Sequence, residues 1–187
     1  LLERVTAFLV RYAVAFREAG AWGVVMAEPA AGLLSPGAVG RFSAPFVRRI
    51  VEAADTPDFS VILHNCGAKL IHLEKTLEAG AGIYHFGAPM DIVAALEKVG
   101  GRDAGDFPTG GRRVILGGNL DPSAVFHSGS PETVARATQV LLEATKEYQN
   151  FIISSGCDIP SGTPLANLEA FYCAVADFNR SKIGDNI

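Results

Sequence analysis

A fivefold alternation of short apolar segments with longer amphipathic ones constrains the fold of this chain most strongly. The apolar segments span residues 22–27, 61–67, 82–86, 113–116 and 151–155. The stretches between them carry apolar residues at helical spacing, and no two apolar segments are joined by the short turn of a β-hairpin. We therefore predict an α/β fold in which five parallel strands are connected by right-handed helical crossovers.

The amphipathic segments predict helices of different kinds. Residues 3–19 form the first, and its apolar face includes Phe8, Tyr12 and Phe16. The second is predicted to begin at Pro36 and to continue without a break to about Val51, because Ser before Pro is a strong helix start. Residues 102–111 are polar and rich in glycine, which indicates a surface loop.

Polar residues of the types that bind metals or act in catalysis follow the predicted strands at their carboxyl ends. These residues are Glu28, His64, Cys66, His85, Asn119, Asp121 and Cys157. A closed barrel brings such strand ends together around one mouth. Five βα units are too few for eight strands, so we predict that residues 1–187 are a single domain, the carboxyl-terminal part of a TIM-type (βα)8 barrel whose amino-terminal part is missing.

Three of these residues have the character of a metal site. His64 and Cys66 are two positions apart, so an extended strand directs both side chains to the same side. Cys157 follows another apolar segment and Gly156 in the same way. One imidazole and two thiols suit zinc, and three protein ligands leave its fourth position open. We predict a zinc site at His64, Cys66 and Cys157.

The other polar residues at the strand ends have weaker signals. Glu28, His85 and Asp121 are predicted catalytic residues. Asn119, Asp121 and Ser155 are predicted to contact substrate. His72 and His127 are interpreted as surface residues, and Cys173 as a core residue of the last helix.

Composition excludes several classes of partner. The net charge is −4 and the chain has no run of lysine and arginine, which argues against nucleic acid and anionic membrane surfaces. It has no apolar stretch of about 20 residues and no secretory signal, so we expect a cytoplasmic location and no membrane span. Three cysteines, an odd number, do not form a disulfide framework.

Three segments resemble one family of enzymes. They are Val-Ile-Leu-His-Asn-Cys-Gly at 61–67, Gly-Gly-Asn-Leu-Asp-Pro at 117–122, and residues 151–168, which begin Phe-Ile-Ile-Ser-Ser-Gly-Cys. These are similar to the uroporphyrinogen decarboxylase superfamily, and within it to the methyltransferases that use cobalamin. The resemblance implies a TIM-type barrel and a zinc held by His64, Cys66 and Cys157. It also implies transfer of a methyl group between methylcobalamin, carried by a corrinoid protein, and a zinc-activated thiol such as coenzyme M.

Two alternatives remain open at this point. One is a metal-free uroporphyrinogen decarboxylase of heme biosynthesis, although that branch carries a Gly-His-Gly type sequence where this chain has Gly156-Cys157. The other is a non-catalytic member with a structural zinc. A partial barrel has two unpaired strand edges, so we also expect the chain to self-associate.

Overall fold

The computed structural model describes residues 1–100 and 114–184, with side chains described as far as Ser181. The strands are β1 Gly23–Ala27, β2 Ser60–Asn65, β3 Ile83–Phe86, β4 Ile115–Leu120 and β5 Phe151–Ser155. The α-helices are α1 Leu2–Glu18, α2 Pro36–Phe42, α3 Ala44–Ala54, α4 Leu73–Leu77, α5 Ile92–Lys98, α6 Pro131–Thr145 and α7 Leu165–Gly184. Short 3₁₀ turns at Pro29–Leu33 and Leu70–His72 and a π turn at Pro122–His127 complete the described elements.

The five strands form one parallel sheet in the order β1-β2-β3-β4-β5. A doubly wound open sheet reverses its strand order at a switch point, whereas this order follows the chain throughout. The α/β prediction and the parallel sheet are confirmed. Sequential order is consistent with part of a TIM-type barrel, and the sheet does not close on itself within the described residues.

The two faces of the sheet have different surroundings. Alternate residues on one face, including Val61, Tyr84 and Leu116, are fully buried against the helices. The opposite face is less covered: Val25 and Ile152 are 65% and 53% exposed, whereas His64 and Gly117 on the same face are buried. All strand ends are aligned by the register, in which His64 pairs with His85 and His85 with Gly117. We call the side of the sheet that carries Val25 and Ile152 the open face.

Two apolar clusters support the sheet. The larger lies between the covered face and the helices of the amino-terminal half, and it includes Phe59, Leu63, Phe86 and Leu96. Leu120, Phe126 and Val134 form the smaller cluster, with partly buried residues of α7 packed against them. No helix among the described residues has the length and apolar character required to cross a bilayer.

Some helix predictions were wrong. The helix predicted over residues 3–19 is confirmed as α1, but Phe8, Tyr12 and Phe16 of its apolar face are exposed, and its buried residues are Thr6 and Ala13. The helix predicted from Pro36 to Val51 breaks at Ser43, and α3 begins anew with Pro45 in its first turn. Strand β4 extends to Leu120, beyond the predicted end at Leu116.

Serine side chains cap the first turns of two helices. Ser35 and Ser130 accept hydrogen bonds from the N–H groups of Ala38 and Thr133, as the Ser-Pro signals predict. The loop prediction at residues 102–111, and Arg113 at the predicted start of β4, lie outside the described residues.

Candidate metal and active site

The carboxyl end of β2 presents His64 and Cys66 on the open face. His64 belongs to the strand and Cys66 follows its last residue. The backbone carbonyl of His64 accepts a hydrogen bond from the N–H of Glu28 at 2.9 Å, which ties the ends of β1 and β2 together. Asn65 points to the covered side, where its Oδ1 accepts from the N–H of Gly67 at 3.2 Å. The turn that follows Cys66 is therefore held from both sides.

Cys157 approaches this pair from β5. The N–H of Gly156 donates to the carbonyl of Leu120 at 2.6 Å, and the Ser155 hydroxyl donates to the carbonyl of Cys157 at 2.8 Å. The ligand atoms of His64, Cys66 and Cys157 all lie within 4.8 Å of one another. Among the described residues, this is the one group of three or more histidine, cysteine or acidic side chains with such convergence. We call it the donor cluster.

Close backbone contacts make this convergence possible. Gly87, after β3, lies so near Cys66 that an added Cβ would stand 2.1 Å from the Cys66 carbonyl oxygen. On another side, a Cβ added to Gly156 would be 3.1 Å from the Gly87 Cα. Only the main chain of Gly87 therefore lies between the turn that carries Cys66 and the turn that carries Cys157. Any side chain at this position would push the turns apart.

His85 lies beside the donor cluster rather than in it. Its Nδ1 is 2.7 Å from Nδ1 of His64, and its Nε2 is 2.7 Å from the Ser154 hydroxyl oxygen. Burial lowers the pKa of His85, and the nearby His64 lowers it further, while a hydrogen bond with the backbone of Ser155 opposes both effects. The imidazole is therefore neutral near pH 7, with one nitrogen protonated and one free to accept.

The cysteine thiols show why a cation would be favourable here. Burial raises the pKa of the Cys157 thiol, and the charges of Cys66 and Asp158 add to the increase, while a backbone hydrogen bond at Asp158 opposes it. Without a neighbouring positive charge, the protein thus disfavours the Cys157 thiolate. A bound divalent cation reverses this balance, since it deprotonates coordinating thiols.

The Glu28 side chain bonds to a residue outside the donor cluster. Its carboxylate accepts a hydrogen bond of 2.7 Å from the hydroxyl of Ser43, at the junction of α2 and α3. Burial raises the pKa of Glu28, and the bond from Ser43 lowers it in part. The backbone N–H of Glu28 bonds to the carbonyl of His64, but the Glu28 carboxylate does not belong to the donor cluster.

Asn119, Asp121 and Ser155 bond mainly to the backbone. The Asn119 amide donates to the carbonyls of Gly87 and Met90 at 3.1 and 2.6 Å. Oδ1 of Asp121 accepts from two backbone N–H groups of the π turn, both at 2.8 Å. Ser155 orders the turn of Cys157. In the structure these side chains shape the strand ends, and their predicted contacts with substrate stay predictions.

Two other interpretations were wrong. His72 is buried: its Nδ1 accepts from the N–H of Lys69 at 2.9 Å and its Nε2 lies 3.0 Å from the carbonyl of Leu34. Cys173 is exposed on α7 instead of packing in the core. His127 is exposed, as predicted.

Sequence reasoning missed Ser154 and Gly87. The period-two alternation along β5 places Ser154 on the open face, and this signal could have identified it. No comparable signal existed for Gly87, because its contacts depend on how the strand ends meet in three dimensions.

The donor cluster fits zinc. In tetrahedral coordination with zinc–sulfur bonds of about 2.3 Å, two sulfur ligands stand roughly 3.8 Å apart, so donors within 4.8 Å need only a small approach. A nitrogen and two sulfurs are also the ligand types that zinc prefers. Together, the parallel sheet and the chemical groups at its carboxyl ends define an α/β protein with a candidate metal site at one edge of the sheet.

Comparison with known proteins gives the family. The family model for uroporphyrinogen decarboxylase (URO-D) matches residues 1–178. The chain therefore belongs to the uroporphyrinogen decarboxylase family, as its motifs predict. The methylcobamide:CoM methyltransferase MtbA of Methanosarcina acetivorans is 30% identical to this chain over 171 residues, which cover 90% of this chain and 46% of that protein. The uroporphyrinogen decarboxylase of Azoarcus sp. strain BH72 is 30% identical over 179 residues, or 92% and 45% of the two chains.

A solved structure agrees at the level of the fold. It is described as a methyltransferase from Methanosarcina mazei and superimposes with a TM-score of 0.75 at 23% identity, covering 93% of this chain and 47% of its own. The chain thus spans less than half the length of the relatives that it matches.

Proposed function

We propose that this chain contributes the zinc site of a methyltransferase, which moves a methyl group between a corrinoid protein and a small thiol such as coenzyme M. The observation that carries the proposal is the convergence of the His64, Cys66 and Cys157 ligand atoms within 4.8 Å. A relative named methylcobamide:CoM methyltransferase, 30% identical to this chain, supports the substrate class.

The proposed reaction is a displacement at carbon. A zinc ion bound by these residues would supply Lewis acidity that lowers the pKa of the thiol substrate, and the thiolates of Cys66 and Cys157 would keep the substrate sulfur electron-rich. The thiol loses its proton, and its sulfur forms a bond to the methyl carbon. The carbon–cobalt bond of methylcobalamin breaks, and its electron pair stays on cobalt. Cys66, Cys157 and His64 would hold the metal, and the open face of the sheet would admit the thiol.

The other strand-end residues have proposed roles around this step. Glu28 is proposed to accept the thiol proton, because it is joined to His64 by a backbone hydrogen bond and buried beside the same strand ends. Asp121 is a further catalytic candidate. Asn119, Asp121 and Ser155 are proposed to contact substrate from β4 and β5.

A metal-free uroporphyrinogen decarboxylase is the second candidate, because a relative with that name has 30% sequence identity to this chain, the same value as the methyltransferase relative. A decarboxylase without metal has no use for two thiols and an imidazole gathered at one point. A structural zinc is the third candidate, and it differs from the first in having four protein ligands. The donor cluster offers three, which favours an open, catalytic coordination position.

The test measures methyl transfer from methylcobalamin to coenzyme M by the purified, zinc-loaded chain. We expect a thioether product and the spectral change of demethylated cobalamin. Cys157→Ala should abolish both zinc retention and transfer. Cys173→Ala is the matched control, because Cys173 is exposed on α7 away from the donor cluster, and it should retain both. Zinc binding without any transfer would favour the structural-zinc alternative, and decarboxylation of uroporphyrinogen without metal would favour the second candidate.

The strand order and the open face also support a proposal about the fold of the whole protein. We infer that the sheet is part of a (βα)8 barrel, since its strand order is sequential and its open face corresponds to a barrel interior. Among the described residues, β1 and β5 each lack a neighbouring strand on one side. We propose that another chain or another part of the barrel covers these edges. A cytoplasmic location belongs to the same proposal.

A further inference from the structure

A row of hydrogen-bonding groups crosses the sheet from β5 to β2. It begins at the carbonyl of Ser155, which accepts from the Ser154 hydroxyl at 3.0 Å. Ser154 Oγ lies 2.7 Å from Nε2 of His85. Nδ1 of His85 lies 2.7 Å from Nδ1 of His64, the histidine of the donor cluster. The row is made possible by the register, which pairs His64 with His85 across β2 and β3.

One set of hydrogen-bond directions satisfies every contact in this row. With the Ser154 hydroxyl hydrogen directed to the Ser155 carbonyl, the hydroxyl oxygen accepts from Nε2–H of His85. A neutral imidazole protonated on Nε2 has an acceptor at Nδ1. His64 must then donate to it from Nδ1–H.

A second contact gives the same assignment independently. Nδ1 of His64 is also 3.2 Å from the backbone carbonyl of His85, and a carbonyl can only accept. A proton on Nδ1 of His64 satisfies both neighbours. A proton on Nε2 would instead leave the Nδ1 lone pair facing a carbonyl oxygen.

We propose that His85 and Ser154 are positioning residues that hold the proton of His64 on Nδ1, so that Nε2 is the nitrogen presented to the metal with Cys66 and Cys157. This inference rests on the proposed zinc site and assigns its ligand atom. Partners of this kind fix the tautomer and ring orientation of metal-binding histidines, and their loss typically weakens metal affinity by about 10- to 100-fold.

The tautomers can be read in the metal-free chain by long-range ¹H–¹⁵N correlation spectra of ¹⁵N-histidine-labelled protein. Only four histidines are present. We expect Nδ1–H at His64 and Nε2–H at His85. His72 is an internal reference, because its Nδ1 accepts from Lys69 and its Nε2 donates to Leu34, which fixes Nε2–H. A His64 ring protonated on Nε2 would overturn the proposal.

Zinc affinity, measured by competition with a chelator, gives the second test. His85→Phe removes the acceptor and should weaken binding by about 10- to 100-fold. His85→Asn places an amide oxygen near the former Nδ1 and should recover most of the loss. Equal losses in both variants would overturn the positioning role and indicate packing alone. His127→Phe, at an exposed histidine, is the control and should bind as the unmodified chain does.

The two tests separate this inference from the proposed function. If the unmodified chain binds no zinc, the proposed function fails. The tautomer spectra of the metal-free chain still decide whether His85 and Ser154 orient His64, since they require no metal.

Discussion

Replacing Gly87 by alanine tests how the donor cluster is assembled. An added Cβ would lie 2.1 Å from the Cys66 carbonyl oxygen, whereas real Cβ atoms essentially never come within 3.0 Å of another heavy atom. The backbone of Cys66 must therefore move by at least about 0.9 Å. Because Gly87 is buried and the neighbouring atom belongs to the backbone of Cys66, no side-chain rotation can relieve the contact.

The expected cost follows from overpacking. Extra atoms in a closely packed interior typically cost about 1–3 kcal/mol, which lowers Tm by roughly 2–12 °C in a domain of this size. Displacement of Cys66 should also weaken zinc binding by about tenfold or more, since zinc–sulfur bonds require positions within about 0.2 Å.

The assay compares Gly87→Ala with Gly82→Ala at the other end of β3. A Cβ added to Gly82 would meet no heavy atom within 4 Å, and Gly82 has no positive φ, so its replacement should change neither Tm nor zinc affinity appreciably. Calorimetry and chelator competition on both variants give the two quantities. An unchanged Tm and zinc affinity within twofold of the unmodified chain for Gly87→Ala would refute the packing argument.

Two further predictions concern charge and association. Burial raises the pKa of Glu28 in the folded chain, so the folded state holds this proton more strongly than the unfolded state does. Ionisation of Glu28 therefore lowers the stability of the fold. This loss is complete above the pKa of the folded state and absent below the pKa of the unfolded state. Glu28→Gln should therefore raise Tm more at pH 8 than at pH 4, and an equal change at both would contradict this. Multi-angle light scattering of the purified chain should give a mass above one chain, because the edges of β1 and β5 and the exposed Val25 and Ile152 favour contact with a second copy. A stable monomer would show that the sheet is complete as an open one.

Local patterns were sufficient for much of the fold. Five apolar segments separated by helical periodicities predicted the parallel α/β sheet, because buried parallel strands need apolar residues on both faces. Strand alternation also indicated that His64 and Cys66 share one side, and the structure brings Cys157 to them. These inferences depend on spacing within a segment, which the sequence shows directly.

Features that depend on contacts between segments were harder to predict. The aromatic stripe of α1 has the period of a buried helix face, yet Phe8 and Tyr12 are exposed, and the residues that this helix buries are Thr6 and Ala13. His72 has no distinguishing neighbours in sequence, although its ring bonds to a carbonyl 38 residues away. The pairing of His64 with His85 requires the register between β2 and β3, which helix and loop lengths set.

Zinc K-edge X-ray absorption on the purified chain identifies the atoms that bind the metal. We predict about one zinc per chain, with two sulfur ligands at about 2.3 Å and one nitrogen from the protein at roughly 2.0–2.1 Å. The nitrogen would come from His64, and the sulfurs from Cys66 and Cys157. A Cys157→Ala chain that keeps its full zinc content, or a spectrum without sulfur ligands, would contradict the proposed zinc site.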